Sequence, residues 1–229
     1  MKKSILLTLS FLFMATIVNA SNILVAYFSW SGNTQALAEE IQSQTNADIY
    51  AIEPATPYTT DYTELAYTVS LNEKNNDERP ALKDTTLDLS GYDYIFVGCP
   101  VWWGDAPMLI HTFLEQYDFS GKTIIPFCTY ATSTGQTLND IIDATPDSSH
   151  LDGFGTTGRH SYNSSTISSW LERIGISDIV AGIDGISTEL KEQSKNIYTL
   201  NGQLVRSNGD ITGLKAGMYI ANGRKIIIK

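Results

Sequence analysis

The chain has 229 residues, 42% of them hydrophobic and 17% charged, with a formal net charge of −10. That is an ordinary globular composition, long enough for one full core and a small extra module, and two cysteines are too few for a disulfide-stapled scaffold. Setting aside residues 1–20, which hold Lys2, Lys3 and no acid, leaves a charge of −12, which disfavours nucleic acid and anionic lipid as partners. Such a surface suits a basic partner, or simply keeps the protein soluble.

Residues 1–20 read as a signal peptide. Lys2 and Lys3 give a positive start, an apolar run follows from Ile5 to Val18, and Val18-Asn19-Ala20 is a cleavage sequence before Ser21. The run is too short for a stable membrane span. No Cys follows the cleavage sequence and no Arg-Arg pair precedes it, so export as an unfolded, unlipidated chain is expected, to the periplasm, cell surface or medium of a bacterium.

Strands then alternate with helices. Ile23 to Phe28 is a continuous apolar run, the pattern of a parallel strand covered on both faces. Leu37, Ala38 and Ile41 recur at helical spacing. A weaker strand is predicted over 47–52 and a helix over 62–74. Tyr94–Gly98 and Thr123–Phe127 are the third and fourth strands, each followed by a helix. The first of those helices is opened by Pro107, and the second is predicted over 137–144. A short strand over 151–155 and a helix over 166–174 complete five βα units. This order predicts an open parallel sheet with helices on both faces, where ligands bind beyond the carboxyl ends of the strands. After Gly175 the composition changes. Asn201-Gly202 and Asn222-Gly223 are hairpin dipeptides, so 178–229 is read as a small β-rich tail apart from the domain over 21–177. Cys99 and Cys128 end two buried strands and read as small core residues, with a bridge between them left open.

Three loops carry the chemistry. Ser29-Trp30-Ser31-Gly32-Asn33-Thr34 follows the first strand and opens a helix, whose unpaired amides and dipole can cradle a phosphate. It lacks the Gly-Lys pair of a Walker loop, and its other reading is a plain helix cap. The second loop, Pro100-Val101-Trp102-Trp103-Gly104, places two indoles directly after a buried strand. At least one should be exposed as a stacking platform for a flat heterocycle, unless both pack under the next helix. The third loop, Thr129-Tyr130-Ala131-Thr132-Ser133, is small and polar and weak evidence alone.

Together the three loops, with Pro57-Tyr58, Asp61-Tyr62, Tyr92–Pro100 and Phe119–Thr129, resemble the flavodoxin family, in its bacterial branch with a Pro-x-Trp-Trp-Gly loop. The resemblance implies a flavodoxin-like three-layer α/β sandwich with a five-stranded parallel sheet of order 2-1-3-4-5, and FMN as cofactor. It assigns the phosphate to Ser29, Ser31, Gly32, Asn33, Thr34 and the Trp30 backbone. It assigns one side of the flavin to Pro100, Val101, Trp102, Trp103 and Gly104. The other edge falls to Thr129, Tyr130, Ala131, Thr132 and Ser133. Relatives carry Gly-Gly where this chain has Ala131-Thr132, so crowding of the ring or a restricted φ is expected there. In the tail, Ile197–Gln203 and Gly213–Ile220 resemble the C-terminal sorting domains of the type IX secretion system.

The function these features imply is electron transfer through FMN, with no catalytic side chain and no metal, to a redox partner with a basic docking surface. Two alternatives stand beside it: an FMN-dependent NAD(P)H reductase of quinones or other small acceptors, and an exported FMN-binding protein without turnover. None of His111, His150 or His160 lies in the three loops.

Overall fold

The computed structural model describes residues 22–158, 161–182, 195–207, 209–221 and 224–228. The signal-peptide reading lies outside the described residues, as do Arg159, His160 and the Asn222-Gly223 dipeptide.

β1 (Ile23–Tyr27) shows why the sheet is central. Leu24 and Ala26 join a cluster on one face with Val97, Leu109 and Phe113, while Ile23 and Val25 join a second cluster with Leu37, Ile41, Phe96 and Trp170. A strand apolar at every position can satisfy both faces only between two helical layers. α1 (Asn33–Thr45) and α6 (Ser164–Arg173) cover one face. α4 (Met108–Gln116) and α5 (Thr137–Asp143) cover the other. β2 (Asp48–Ala51) is a largely exposed edge strand beside β1. β3 (Tyr94–Pro100) and β4 (Thr123–Thr129) each run two residues beyond their expected ends and pair in parallel. The parallel sheet has the expected order, β2-β1-β3-β4-β5, with β6 also on β4.

Two departures have physical causes. The fifth strand is split into β5 (Ser149–His150) and β6 (Phe154–Thr156). β5 pairs with Thr123 and Ile124, and β6 with Phe127 to Thr129. Lys122 O and Ile124 O accept from Ser149 and Leu151, so alternate residues of β4 face this neighbour, and Pro126 is the next. Proline has no N–H to give, and the ladder breaks there. The expected helix over 62–74 is also divided. It runs as α2 (Tyr62–Glu64), a π-helical turn (Leu65–Val69) and α3 (Ser70–Asn75). Asp61 caps its start by accepting from Glu64 N at 2.7 Å.

The tail forms its own antiparallel sheet of order β10-β9-β7-β8. Its strands are β7 (Ile197–Thr199), β8 (Leu204–Arg206), β9 (Gly217–Ala221) and β10 (Arg224–Ile228). Gly202, at φ 80°, donates its N–H to Thr199 O and takes the left-handed position in the turn from β7 to β8, while Asn201 keeps a negative φ. Among the described residues no helix is long and apolar enough to cross a membrane.

Candidate functional site

The loops after β1, β3 and β4 meet at one end of the sheet around a cavity of about 570 Å³. That size suits a small-molecule or cofactor site.

The first loop turns at Gly32, φ 83°, which precedes α1. Ser29 Oγ accepts from Gly32 N at 3.1 Å, and Asn33 Nδ2 donates to Ser31 Oγ at 3.2 Å. Ala36 N donates to Gly32 O, so the first amides of α1 precede any carbonyl one turn back and point out of the helix end. Trp30, Ser31 and Asn33 line the cavity; Ser29 and Gly32 shape the turn behind it. Thr34 is 1% exposed and its hydroxyl pairs with that of Thr129 at 2.7 Å. Thr34 therefore ties the first loop to the end of β4 rather than reaching the cavity.

The second loop is a tight hairpin. Trp102 N donates to Asp105 O at 3.0 Å and Asp105 N to Trp102 O at 3.1 Å. Trp103 (φ 55°) and Gly104 (φ 84°) are its two central residues. Positive φ at both defines the type I′ turn, which favours Asn-Gly. The two indoles divide their work. Trp102 sits edge-on to Phe28 and Tyr58, with centroids 5.3 and 5.2 Å away, and its ring joins the core below. Trp103 is 44% exposed and forms the outer wall. Pro100 and Val101 line the cavity floor, while Gly104 does not reach it.

In the third loop Thr129, Tyr130 and Ala131 line the cavity, whereas Thr132 and Ser133 are exposed and lie off its wall. Neither Ala131 nor Thr132 has a positive φ, so the expected conformational restriction does not arise. The loop is anchored instead by Gly135, φ 52°, which packs against Gly104.

The remaining wall comes from residues that no local sequence pattern marks as a site. Tyr62, Leu65, Ala66, Tyr67 and Ser70 come from the α2–α3 segment, and Thr157 from the loop after β6. Tyr62 and Tyr67, five residues apart, would diverge on an α-helix at about 100° per residue; the π-turn between them brings both to one cavity. The doubled tyrosines were a visible signal, but nothing local announces a π-turn. Behind this wall Tyr58 Oη donates to Glu73 Oε2 at 3.0 Å. Burial pushes the Glu73 carboxyl up, and burial followed by the neighbouring Glu73 pushes the Tyr58 phenol up.

Among the described residues none that lines the cavity is charged, although the chain carries 25 acidic side chains. Among the described residues no group of His, Cys, Asp and Glu could hold a metal. Cys99 and Cys128 are register partners on β3 and β4 and are free, buried thiols. Burial pushes Cys128 up to about 12.

A doubly wound parallel sheet with an aromatic-walled cavity at its carboxyl end, beside a helix N-terminus, defines a nucleotide-type cofactor protein. The flavodoxin family profile matches residues 22–174, and the chain belongs to that family. It is similar to a Bacteroides eggerthii protein assigned as a flavoprotein, at 34% identity over 66% of this chain and 96% of that one, TM-score 0.59. A Bacteroides uniformis counterpart matches at 32% identity over 66% and 97%, TM-score 0.59. A Lactobacillus acidophilus flavoprotein, solved with FMN, shares the fold at 22% identity over 65% and 97%, TM-score 0.54. No curated protein matches the chain.

FMN is the cofactor that family membership gives this chain, and the residues fit it. A phosphate dianion needs donors and no carboxylate, which the first loop and the α1 terminus provide. A flat ring needs flat apolar walls, which Trp102, Trp103 and Tyr130 provide.

Proposed function

We propose that the protein is an FMN-dependent electron carrier. The observation that carries this reading is the cavity wall: its described residues offer donors and aromatic faces but no carboxylate, imidazole or ammonium to serve as acid or base. When bound, FMN supplies the redox chemistry. The amides opening α1, with Ser31 and Asn33, would hold the phosphate. Trp102 and Trp103 would flank one side of the ring, and Thr129 to Ala131 its opposite edge. The surrounding net charge of −12 and the aromatic walls disfavour added negative charge on the flavin, which supports a low potential. The partner fitting such a surface is a redox protein with a basic face.

A second reading is an NAD(P)H-dependent reductase of quinones or similar acceptors. It is favoured by the exposed rim of the cavity, where Tyr62, Tyr67 and Trp103 are 64%, 59% and 44% exposed. A flat acceptor could stack there beside the flavin. Export through residues 1–20 and sorting by the C-terminal sheet complete the proposal, and they leave open the third reading, an exported FMN-binding protein without turnover.

The readings separate in one anaerobic titration of the FMN-loaded protein. A carrier keeps its flavin oxidised with NADH or NADPH alone and is reduced by dithionite. Rapid bleaching by either nicotinamide contradicts the carrier reading. A flavin that resists even dithionite supports binding without turnover.

A further inference from the structure

Trp103 is a bulky residue held where bulky residues are disfavoured. Its φ of 55° lies in the left-handed region, at a turn position suited to Asn or Gly. Such strain persists only when surrounding contacts over-determine it, and it gathers at functional sites. Here the contacts come from one helical segment. The indole Nε1 donates to Ala66 O, within the π-helical turn, at 2.7 Å. Tyr67 meets the indole edge-on, with centroids 5.7 Å apart. Lys74 Nζ donates to Trp103 O at 2.8 Å and pairs with Asp105 Oδ2 at 2.7 Å, so it grips the turn on both sides of Gly104.

We propose that Lys74 is a positioning residue for the FMN site, clamping the Trp103-Gly104 turn in its left-handed form and so fixing Trp103 as the rigid outer wall against the flavin. This rests on the reading that the cavity holds FMN. Lys74 does not itself line the cavity. It acts through a backbone carbonyl and a carboxylate one residue beyond the glycine. An ammonium can serve both acceptors at once, because it carries three donors. Without it, Trp103 O and Asp105 lose their shared cation, and the Trp103 residue is left to its indole contacts and to the backbone bonds at Trp102, Gly104 and Asp105. The energy stored at Trp103 then favours relaxation of its backbone out of the left-handed region.

The test uses the full mature chain labelled with 5-fluorotryptophan, read by fluorine NMR without FMN and then by FMN titration. The chain has 4 Trp, and Trp103→Phe assigns the relevant line. The expected result is that Lys74→Met shifts or broadens the Trp103 line while those of Trp30, Trp102 and Trp170 stay in place. It should also weaken FMN binding about tenfold, the scale of relaxing one strained residue. Lys74→Arg, which keeps the charge and several donors, should restore both. Lys74 is half-exposed, with 37% of its side chain accessible, so Lys74→Met leaves no cavity in the core. An unmoved Trp103 line in Lys74→Met overturns the proposal, and weaker FMN binding with that line unmoved overturns it too, since the effect would then be one of charge alone. If the unaltered protein binds no FMN, the cofactor reading fails, and the fluorine spectra still decide whether Lys74 positions Trp103.

Discussion

Gly135 rests directly on Gly104. A Cβ added at Gly135 would lie 1.9 Å from Gly104 O, and Gln136 N donates to that same carbonyl at 2.6 Å. The third loop is thus seated on the second by backbone contact, with no side chain between them. Gly135→Ala would push the two loops apart and force a left-handed alanine. We expect a loss of about 1–3 kcal/mol in urea unfolding and clearly weaker FMN binding. Gly175→Ala is the control. Its φ is 79° but nothing lies within 4 Å, so it should cost stability and leave FMN affinity intact.

Thr34 and Thr129 join the first and third loops through one buried hydroxyl pair. Thr34→Val leaves the Thr129 hydroxyl without that partner, at a cost of about 1–3 kcal/mol. Replacing both by Val removes the orphan, so the double variant should be more stable than the sum of the single losses implies. Denaturant midpoints of all four proteins close the cycle, and strict additivity would mean the pair does not couple.

Glu73 is 7% exposed, and burial raises its carboxyl above the ordinary value of 4.5. The folded protein therefore binds this proton more tightly than the unfolded chain. Its contribution to stability is fully present below pH 4.5 and is lost as pH rises through the raised value. Glu73→Gln keeps an acceptor for Tyr58 and removes the charge. We expect it to raise the denaturation midpoint at pH 7 and to match the unaltered protein near pH 4. A lower midpoint at pH 7 would show that the charged form is the stabilising one.

Cys99 and Cys128 should be silent to iodoacetamide in the folded protein, since both are buried and burial pushes both thiols up. After denaturation without reductant, mass spectrometry should count two alkylated thiols. None would reveal a bridge across β3 and β4.

Most of the fold was legible because its signals are local and repeated. Ile23 to Phe28 and Tyr94 to Cys99 are apolar at consecutive positions, which only a sheet buried on both faces explains. The first and second loops were legible because Ser, Gly and Trp are costly where they stand unless used. What was hidden depends on partners far along the chain. Pro126 splits a strand that lies beyond it in sequence. Thr34 looks like a phosphate donor until Thr129 is placed beside it. Trp103-Gly104 gives no sign of a type I′ turn, because the contacts that hold Trp103 there come from Ala66, Tyr67 and Lys74. The Tyr62 and Tyr67 wall needs a π-turn that no helical spacing predicts.

FMN binding in this cavity depends on the α1 terminus and the paired indole loop. Its most direct test is the visible absorption of the mature protein after mixing with FMN and desalting. About one flavin should be retained per chain, and it should be lost when Ser31 and Asn33 are replaced by Asp, which brings carboxylates to the phosphate. A folded, colourless protein after desalting, or retention undiminished in the Asp variants, would contradict it.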